Sequence, residues 1–390
     1  MPIKLSNCEI IPFYLPISLL RIISWVSNFV DTKAVVYGEP LSFLVGTGSA
    51  IAASLGIFNY YFRCKIFECC DSSWVRGDYT GLQHSMRTRL YGQHLAKETI
   101  ITAAIAHWEN PNPKKALVMS FHGWTGCGKN YLSSMIIDSL YRKGMKSDYV
   151  HIYVSTLHFS NYLEIPLYQV QLRSWIQGNV SKCERSLFVF DEVDKMPAKV
   201  IDALKPFIDH YEYLEGIDFR KSIFVFLSNS GSNEIAQKAL QHYENGKIRE
   251  KITLKEMEDV VMKSAFNTED KFCFSLNQEN LKLLKYIEES GLKMSELISA
   301  HLIDHFIPFL PLERKHILLC IRDYMLSHEF TPTDERITAI ADSLQYFPKT
   351  NPIYSSSGCK RVAQKTELFM SAERERDRQR FESFHDDDVL

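Results

Sequence analysis

No excess of basic charge marks this chain for a polyanionic partner: 45 Lys and Arg stand against 47 Asp and Glu, a formal net charge of −2. A nucleic-acid binder would show a basic patch or domain, so no nucleic acid is expected as a partner. The nine cysteines include no C-x-x-C pair and no Cys/His array at zinc spacing, which argues against a zinc site. No internal repeat is present, so a solenoid or propeller is excluded.

Charge is also scarce in two runs near the start. Ile10 to Val30 is largely apolar, with Arg21 as its one internal charge and Lys4 before it. Residues 1–30 therefore read as a signal peptide or signal anchor, although Pro12, Pro16 and Arg21 fit awkwardly and no small-x-small cleavage site stands out. Leu41 to Phe62 carries no charged residue, which is long enough for a bilayer-spanning helix. Its small residues, among them Gly46, Gly48, Ala52 and Gly56, suit close packing in lipid. Residues 41–62 are expected to be membrane-associated, either crossing the bilayer or lying in one leaflet. Cys64, Cys69 and Cys70 cluster just beyond, while Cys127, Cys183, Cys273, Cys320 and Cys359 are spread through the rest. That cysteine usage fits an oxidising secretory compartment, and Asn179-Val180-Ser181 is a glycosylation sequon.

What is present in strength is an alternation of strand and helix. Strand-like runs are Leu117–Phe121, Val150–Ser155, Ser186–Phe190 and Ser222–Ser228; helical runs include Tyr131–Tyr141, Leu167–Ile176 and Ala198–Tyr211. Such alternation predicts an α/β fold, a parallel sheet covered on both faces, with ligands at the carboxyl ends of its strands. At 390 residues the chain has room for two domains with appendages. The expected boundaries are 85–268 for the α/β domain, 269–368 for a smaller domain reading as mostly helical, and 369–390 for a charged tail, either a solvated helix or disordered.

The alternation carries one specific motif. Gly123-Trp124-Thr125-Gly126-Cys127-Gly128-Lys129-Asn130 follows a predicted strand and opens a predicted helix, the context a phosphate-binding loop requires. Its glycines let the backbone close on phosphate, and the helix N-terminus favours an anion. Lys129 can reach the β- and γ-phosphates. Asn130 stands where most such loops place Ser or Thr; its amide oxygen remains a neutral hard ligand for Mg²⁺, and the exchange suggests weak or regulated hydrolysis.

Two further strand ends point the same way. Ser186 to Phe190 ends in Asp191-Glu192, where Asp191 would hold Mg²⁺ and Glu192 would polarise the attacking water. Such an acidic turn is common by itself; about 60 residues downstream of a phosphate loop it reads as the second half of an ATPase site. Asn229 closes another apolar strand and could bond the γ-phosphate or the lytic water. Lys360, in Gly358-Cys359-Lys360, could reach the γ-phosphate from the second domain, with Cys359 beside it coupling nucleotide to redox state.

These stretches resemble the torsins, AAA+ ATPases related to the Clp/HSP100 branch. The resemblance spans roughly Cys64 to Lys365 and rests on residues 123–130, Asp148–Ile152, Phe190–Met196, Phe226–Asn229, Pro308–Leu312 and Gly358–Lys360, with Tyr91-Gly92-Gln93-His94 resembling the segment that opens the ATPase domain. It implies a five-stranded αβα AAA+ domain followed by a smaller α-helical domain carrying Lys360, with ATP and Mg²⁺ as ligands. It further implies a chaperone-like enzyme of the endoplasmic reticulum lumen and nuclear envelope, associated with that membrane surface. A membrane-anchored activator with a lumenal AAA-like domain would supply the arginine finger, and a homo-oligomer is a further expectation. Arg249 lies in a plausible region for a finger but reads as a surface charge. By family analogy Cys320 pairs with Cys359, and Cys64 with Cys183; Cys127 reads as a small residue rather than a reactive thiol. The tail has no counterpart in the family pattern, and Asp388-Val389-Leu390 is not a retrieval signal. Two alternatives stand beside the ATPase reading: a non-enzymatic assembly protein in which ATP fixes an interface, and a Clp-like unfoldase, for which Phe159 and Tyr162 lie where a pore loop would fall.

Overall fold

The computed structural model describes residues 63–266, 297 and 301–387. Two units divide the chain, Met1–Phe67 and Glu68–Leu390. In the first, residues 63–66 form a helical turn; the apolar segments 10–30 and 41–62 lie outside the described residues. Among the described residues no helix is long and apolar enough to cross a membrane.

The second unit is built on a parallel sheet of β1 (Leu117–Gly123), β2 (Val150–Val154), β3 (Leu187–Asp191), β4 (Ile223–Ser228) and β5 (His305–Phe309), in the order β2-β3-β4-β1-β5. Side chains alternate across it with period two. Val118, Phe188, Phe190, Phe224 and Phe226 enter one core, while Leu117, Met119, Phe121, Leu187, Val189, Val225 and Leu227 enter the other. Both faces are buried, as helical crossovers between parallel strands demand. Cross-strand ring pairs tie the middle of the first face, with Phe188 and Phe224 stacked at 4.9 Å and Phe190 and Phe226 at 5.5 Å.

The layers over the sheet are α1 (Tyr79–Arg89), α2 (His94–Glu109), α3 (Lys129–Leu140), α4 (Ile165–Val180), α5 (Ser232–Glu244) and α6 (Leu254–Phe266). The C-terminal part is helical: α7 (Arg314–Ser327), α8 (Asp334–Asp342) and α9 (Val362–Asp387), with a two-stranded hairpin, Tyr346–Phe347 against Tyr354–Ser355. This is an αβα layer arrangement with a helical C-terminal portion.

Two local readings change, and one left open is decided. The fifth strand comes from the stretch read as mostly helical; Pro308 masks it, because a proline demotes a strand pattern. Here it is tolerated because β5 is an edge strand paired only with β1. The run Ala198–Tyr211 is two short helices, Ala198–Asp202 and Lys205–Ile208. Pro206 begins the second, since its ring would meet the carbonyl of Asp202 in a continuous helix. The charged tail continues α9 to Asp387, and its described side chains past Glu373 are exposed.

Four histidines are held neutral inside this fold. Burial pushes His107, His122 and His151 down to about 4 from the ordinary 6.5, and His316 to about 3. The unfolded chain takes up these protons below pH 6.5 while the fold refuses them until near pH 4, so stability falls as pH drops through that window. Fully buried His122 alone costs about 3 kcal/mol by pH 4, at about 1.36 kcal/mol per pH unit. Thermal unfolding between pH 6.5 and 4 is expected to show a steep drop in Tm; a flat profile would contradict neutral burial.

Candidate nucleotide site

Three adjacent strand ends, those of β3, β4 and β1, deliver the candidate residues to one crevice. Beyond β1 the chain turns through Gly126 and Gly128, whose φ values of +74° and +106° lie in the left-handed region that glycine tolerates. Gly128 caps α3, so backbone N–H groups of the loop and the first turn face the crevice. Lys129, buried at 7% exposure, donates to the carbonyl oxygens of Gly123 at 2.6 Å and Trp124 at 3.0 Å, and to Asn229 Oδ1 at 3.0 Å. Burial lowers its ammonium pKa, partly offset by Cys127, Asp194 and Asp191.

Asn130 Nδ2 donates to Asp191 Oδ2 at 2.7 Å. That bond brings a neutral amide and an anionic carboxylate into contact, the oxygen-bearing groups that suit a hard divalent cation such as Mg²⁺. Asp191 Oδ1 accepts from the Glu192 N–H at 2.9 Å. Glu192 follows with φ +56°, and its carboxyl is held below the usual range by bonds from Lys195 and then Thr156.

The C-terminal part closes directly on the loop. The Cys359 N–H donates to the Gly126 carbonyl at 3.1 Å and Trp124 Nε1 to the Ser356 carbonyl at 2.7 Å. A Cβ on Gly358 would lie 2.2 Å from that same Gly126 oxygen, so only glycine fits there. Lys360 reaches the rim of a cleft of about 1140 Å³ lined by Thr125–Asn130, Asp191, Glu192, Asn229, Cys320 and Cys359. Leu90, Tyr91, Leu312, Tyr324 and Val362 supply its apolar wall, a surface suited to a flat base.

Cys320 and Cys359 are joined by a disulfide at this cleft. Cys183 is bonded to Cys70, not Cys64; their Cα atoms are 5.3 Å apart, within bonding reach. Cys127 is a free thiol, buried, with its pKa pushed up by that burial, which suits a small packing residue. Asn179 is remote from the cleft, half-buried in the last turn of α4. Arg249 is no surface charge: at 7% exposure it donates to the carbonyls of Gly92 and Pro311 and pairs with Glu313 at 3.3 Å. It staples the segment before α2 to the segment after β5, because a buried guanidinium has five donors to satisfy.

Residues that sequence reasoning passed over also shape the site. Gln93, fully buried, donates to the carbonyls of Cys127 at 3.1 Å and Leu310 at 2.8 Å and accepts from the Leu310 N–H. It fixes the phosphate loop against the end of β5. Tyr91 donates to Asp323 across the cleft. Their signal was the Tyr91–His94 segment, whose partners Leu310 and Asp323 lie 217 and 232 residues away.

Family models place the chain independently of this geometry. One described as Torsin matches residues 64–190, and one described as Torsin-1A, C-terminal domain, matches 312–369. A Torsin-like protein of Caenorhabditis elegans is 39% identical over 370 residues, covering 93% of this chain and 96% of that protein. Among solved structures, the Hsp104–ADP complex of S. cerevisiae aligns at 15% identity and a TM-score of 0.49, over 74% of this chain and 46% of that one. A closed-state Hsp104 with ATPγS and FITC casein aligns at 14% identity and 0.45, with the same coverage. The chain thus spans about half the length of those Hsp104 chains. Since the likeness to the nematode protein runs nearly end to end in both, this chain belongs to the torsin family.

Proposed function

We propose that this torsin-like AAA+ protein binds and hydrolyses ATP. The observation that carries the reading is the convergence of Lys129, Asn130, Asp191, Glu192 and Asn229 from three strand ends, with Asn130 to Asp191 at 2.7 Å and Lys129 to Asn229 at 3.0 Å. In that reading the loop amides and Lys129 bind the phosphates, trading the Gly123 and Trp124 carbonyls for phosphate oxygens. Asn130 and Asp191 would hold Mg²⁺, which when bound neutralises charge on the β- and γ-oxygens. Glu192 accepts a proton from the attacking water, while Asn229 and Lys360 orient the γ-phosphate.

The finer reading places the protein in the endoplasmic reticulum lumen and the nuclear envelope, remodelling proteins or membranes. Disulfides such as Cys70–Cys183 and Cys320–Cys359 support an oxidising compartment. A membrane-anchored partner would complete the site with a cation. Arg249 supports that view, since its donors are spent inside the fold. The Cys320–Cys359 bond, touching the cleft, would make nucleotide binding sensitive to redox state; freely reactive thiols before reduction would exclude this.

Equilibrium binding of a fluorescent ATP analogue with Mg²⁺ tests the core of the proposal. Saturable binding, lost in Lys129→Ala and weakened at least about tenfold without Mg²⁺, is expected. No affinity for adenine nucleotides would overturn it.

A further inference from the structure

The wall of the cleft opposite the strand ends carries one charge that the phosphate chemistry does not use. Helix α7 turns a single face toward the cleft: Cys320, Asp323 and Ser327 stand at i, i+3 and i+7 and all line it. Cys320 is tied to Cys359, whose N–H meets the phosphate loop at Gly126. Asp323 stands one helical turn from that tie, in the cleft that Leu90, Leu312 and Val362 wall with apolar surface. A triphosphate held by the loop would carry its base into this part of the cleft.

Asp323 is half-buried. Tyr91 donates to its Oδ2, and burial together with that bond pushes the Tyr91 pKa up, so Tyr91 keeps its proton and stays the donor. Among the described residues Asp323 Oδ1 has no partner, and the neighbouring Arg322 reaches Asp334 instead, at 3.7 Å. A largely apolar pocket with a few placed polar groups is how proteins fix the orientation of a flat ligand. A structural tie between α7 and the segment before α2 is the competing account of the Tyr91–Asp323 bond. That segment is already held close by: Gln93 bonds Cys127 and Leu310, and Arg249 bonds Gly92 and pairs with Glu313. A further tie adds little there, and it leaves the second carboxylate oxygen without a purpose.

We propose that Asp323 is a specificity-determining residue that reads the base: its Oδ1 accepts from the exocyclic 6-amino group of adenine, while Tyr91 steadies the carboxylate through Oδ2. This rests on the reading of the cleft as a nucleotide site. Guanine carries a carbonyl oxygen at the same ring position, so acceptor would face acceptor and the base is disfavoured.

Equilibrium binding of ATP, GTP and purine riboside triphosphate, which has hydrogen in place of the 6-amino group, is measured on the full chain with Mg²⁺. Wild type is expected to bind ATP roughly tenfold tighter than the purine analogue, the worth of one hydrogen bond to a charged acceptor, and GTP no better than the analogue. Asp323→Leu should bring ATP down to the level of the analogue and leave the analogue unchanged. Tyr91→Phe breaks the tie but keeps the carboxylate, and should retain most of the discrimination. Equal affinity of wild type for ATP and the analogue, a comparison that needs no variant, overturns the assignment, as does GTP binding as tightly as ATP. So does Asp323→Leu weakening both nucleotides alike, or Tyr91→Phe erasing the discrimination as fully as Asp323→Leu, since either reports a structural tie. No binding of any of the three nucleotides removes the nucleotide reading of the cleft itself.

Discussion

Replacing Glu192 by Gln is expected to lower ATP turnover at least about 100-fold, the usual worth of a positioned general base. The substitution keeps the side chain's size and its bond from Thr156 while removing the negative charge. Lys129, Asn130 and Asp191, which would hold the triphosphate, are untouched, so affinity for ATP should persist or increase. Bound ATP would then accumulate, and with it the partner-bound form. Rapid-quench hydrolysis and a partner pull-down in the presence of ATP read the two effects separately. Undiminished partner-stimulated turnover removes Glu192 from the chemistry, and weakened partner capture removes the idea that ATP is the assembling signal.

Gly126→Ala should be the most damaging small change in the fold. At φ +74° an alanine is strained, and its Cβ would sit 2.0 Å from the Ser357 carbonyl oxygen. The strain costs roughly 1–3 kcal/mol. The collision comes on top, because a backbone carbonyl that sits beside the Cys359-to-Gly126 bond cannot swing aside as a side chain would. Gly246→Ala isolates the second part: its φ is +69°, yet nothing lies within 4 Å of an added Cβ. Denaturation of both variants should show Gly246→Ala losing the strain alone and Gly126→Ala losing considerably more, together with ATP binding. Equal losses would mean that the loop and the Gly358 turn do not bear on each other.

Four of the five strands were legible because long apolar runs end abruptly in polar residues. The phosphate loop was legible because its glycines and lysine are local and closely spaced. β5 was not, since Pro308 breaks its pattern and its partner β1 lies nearly 200 residues earlier. Arg249 was misread because charge suggests exposure, and only the tertiary fold gathers the Gly92 and Pro311 carbonyls around one guanidinium. The bonds from Lys195 and Thr156 to Glu192 are likewise invisible in sequence, where one donor is three residues off and the other thirty-six.

The Cys70–Cys183 bond joins residues 113 apart, so β1, the phosphate loop, α3, β2 and α4 all belong to one covalent ring. Leu157 and Leu163, 73% and 86% exposed, offer a protease its entry within that ring. A chain nicked there would stay whole on a non-reducing gel and separate into two bands once thiol is added. Cleavage of the very segment that bonds to Glu192 could thus go unnoticed in any preparation kept oxidised.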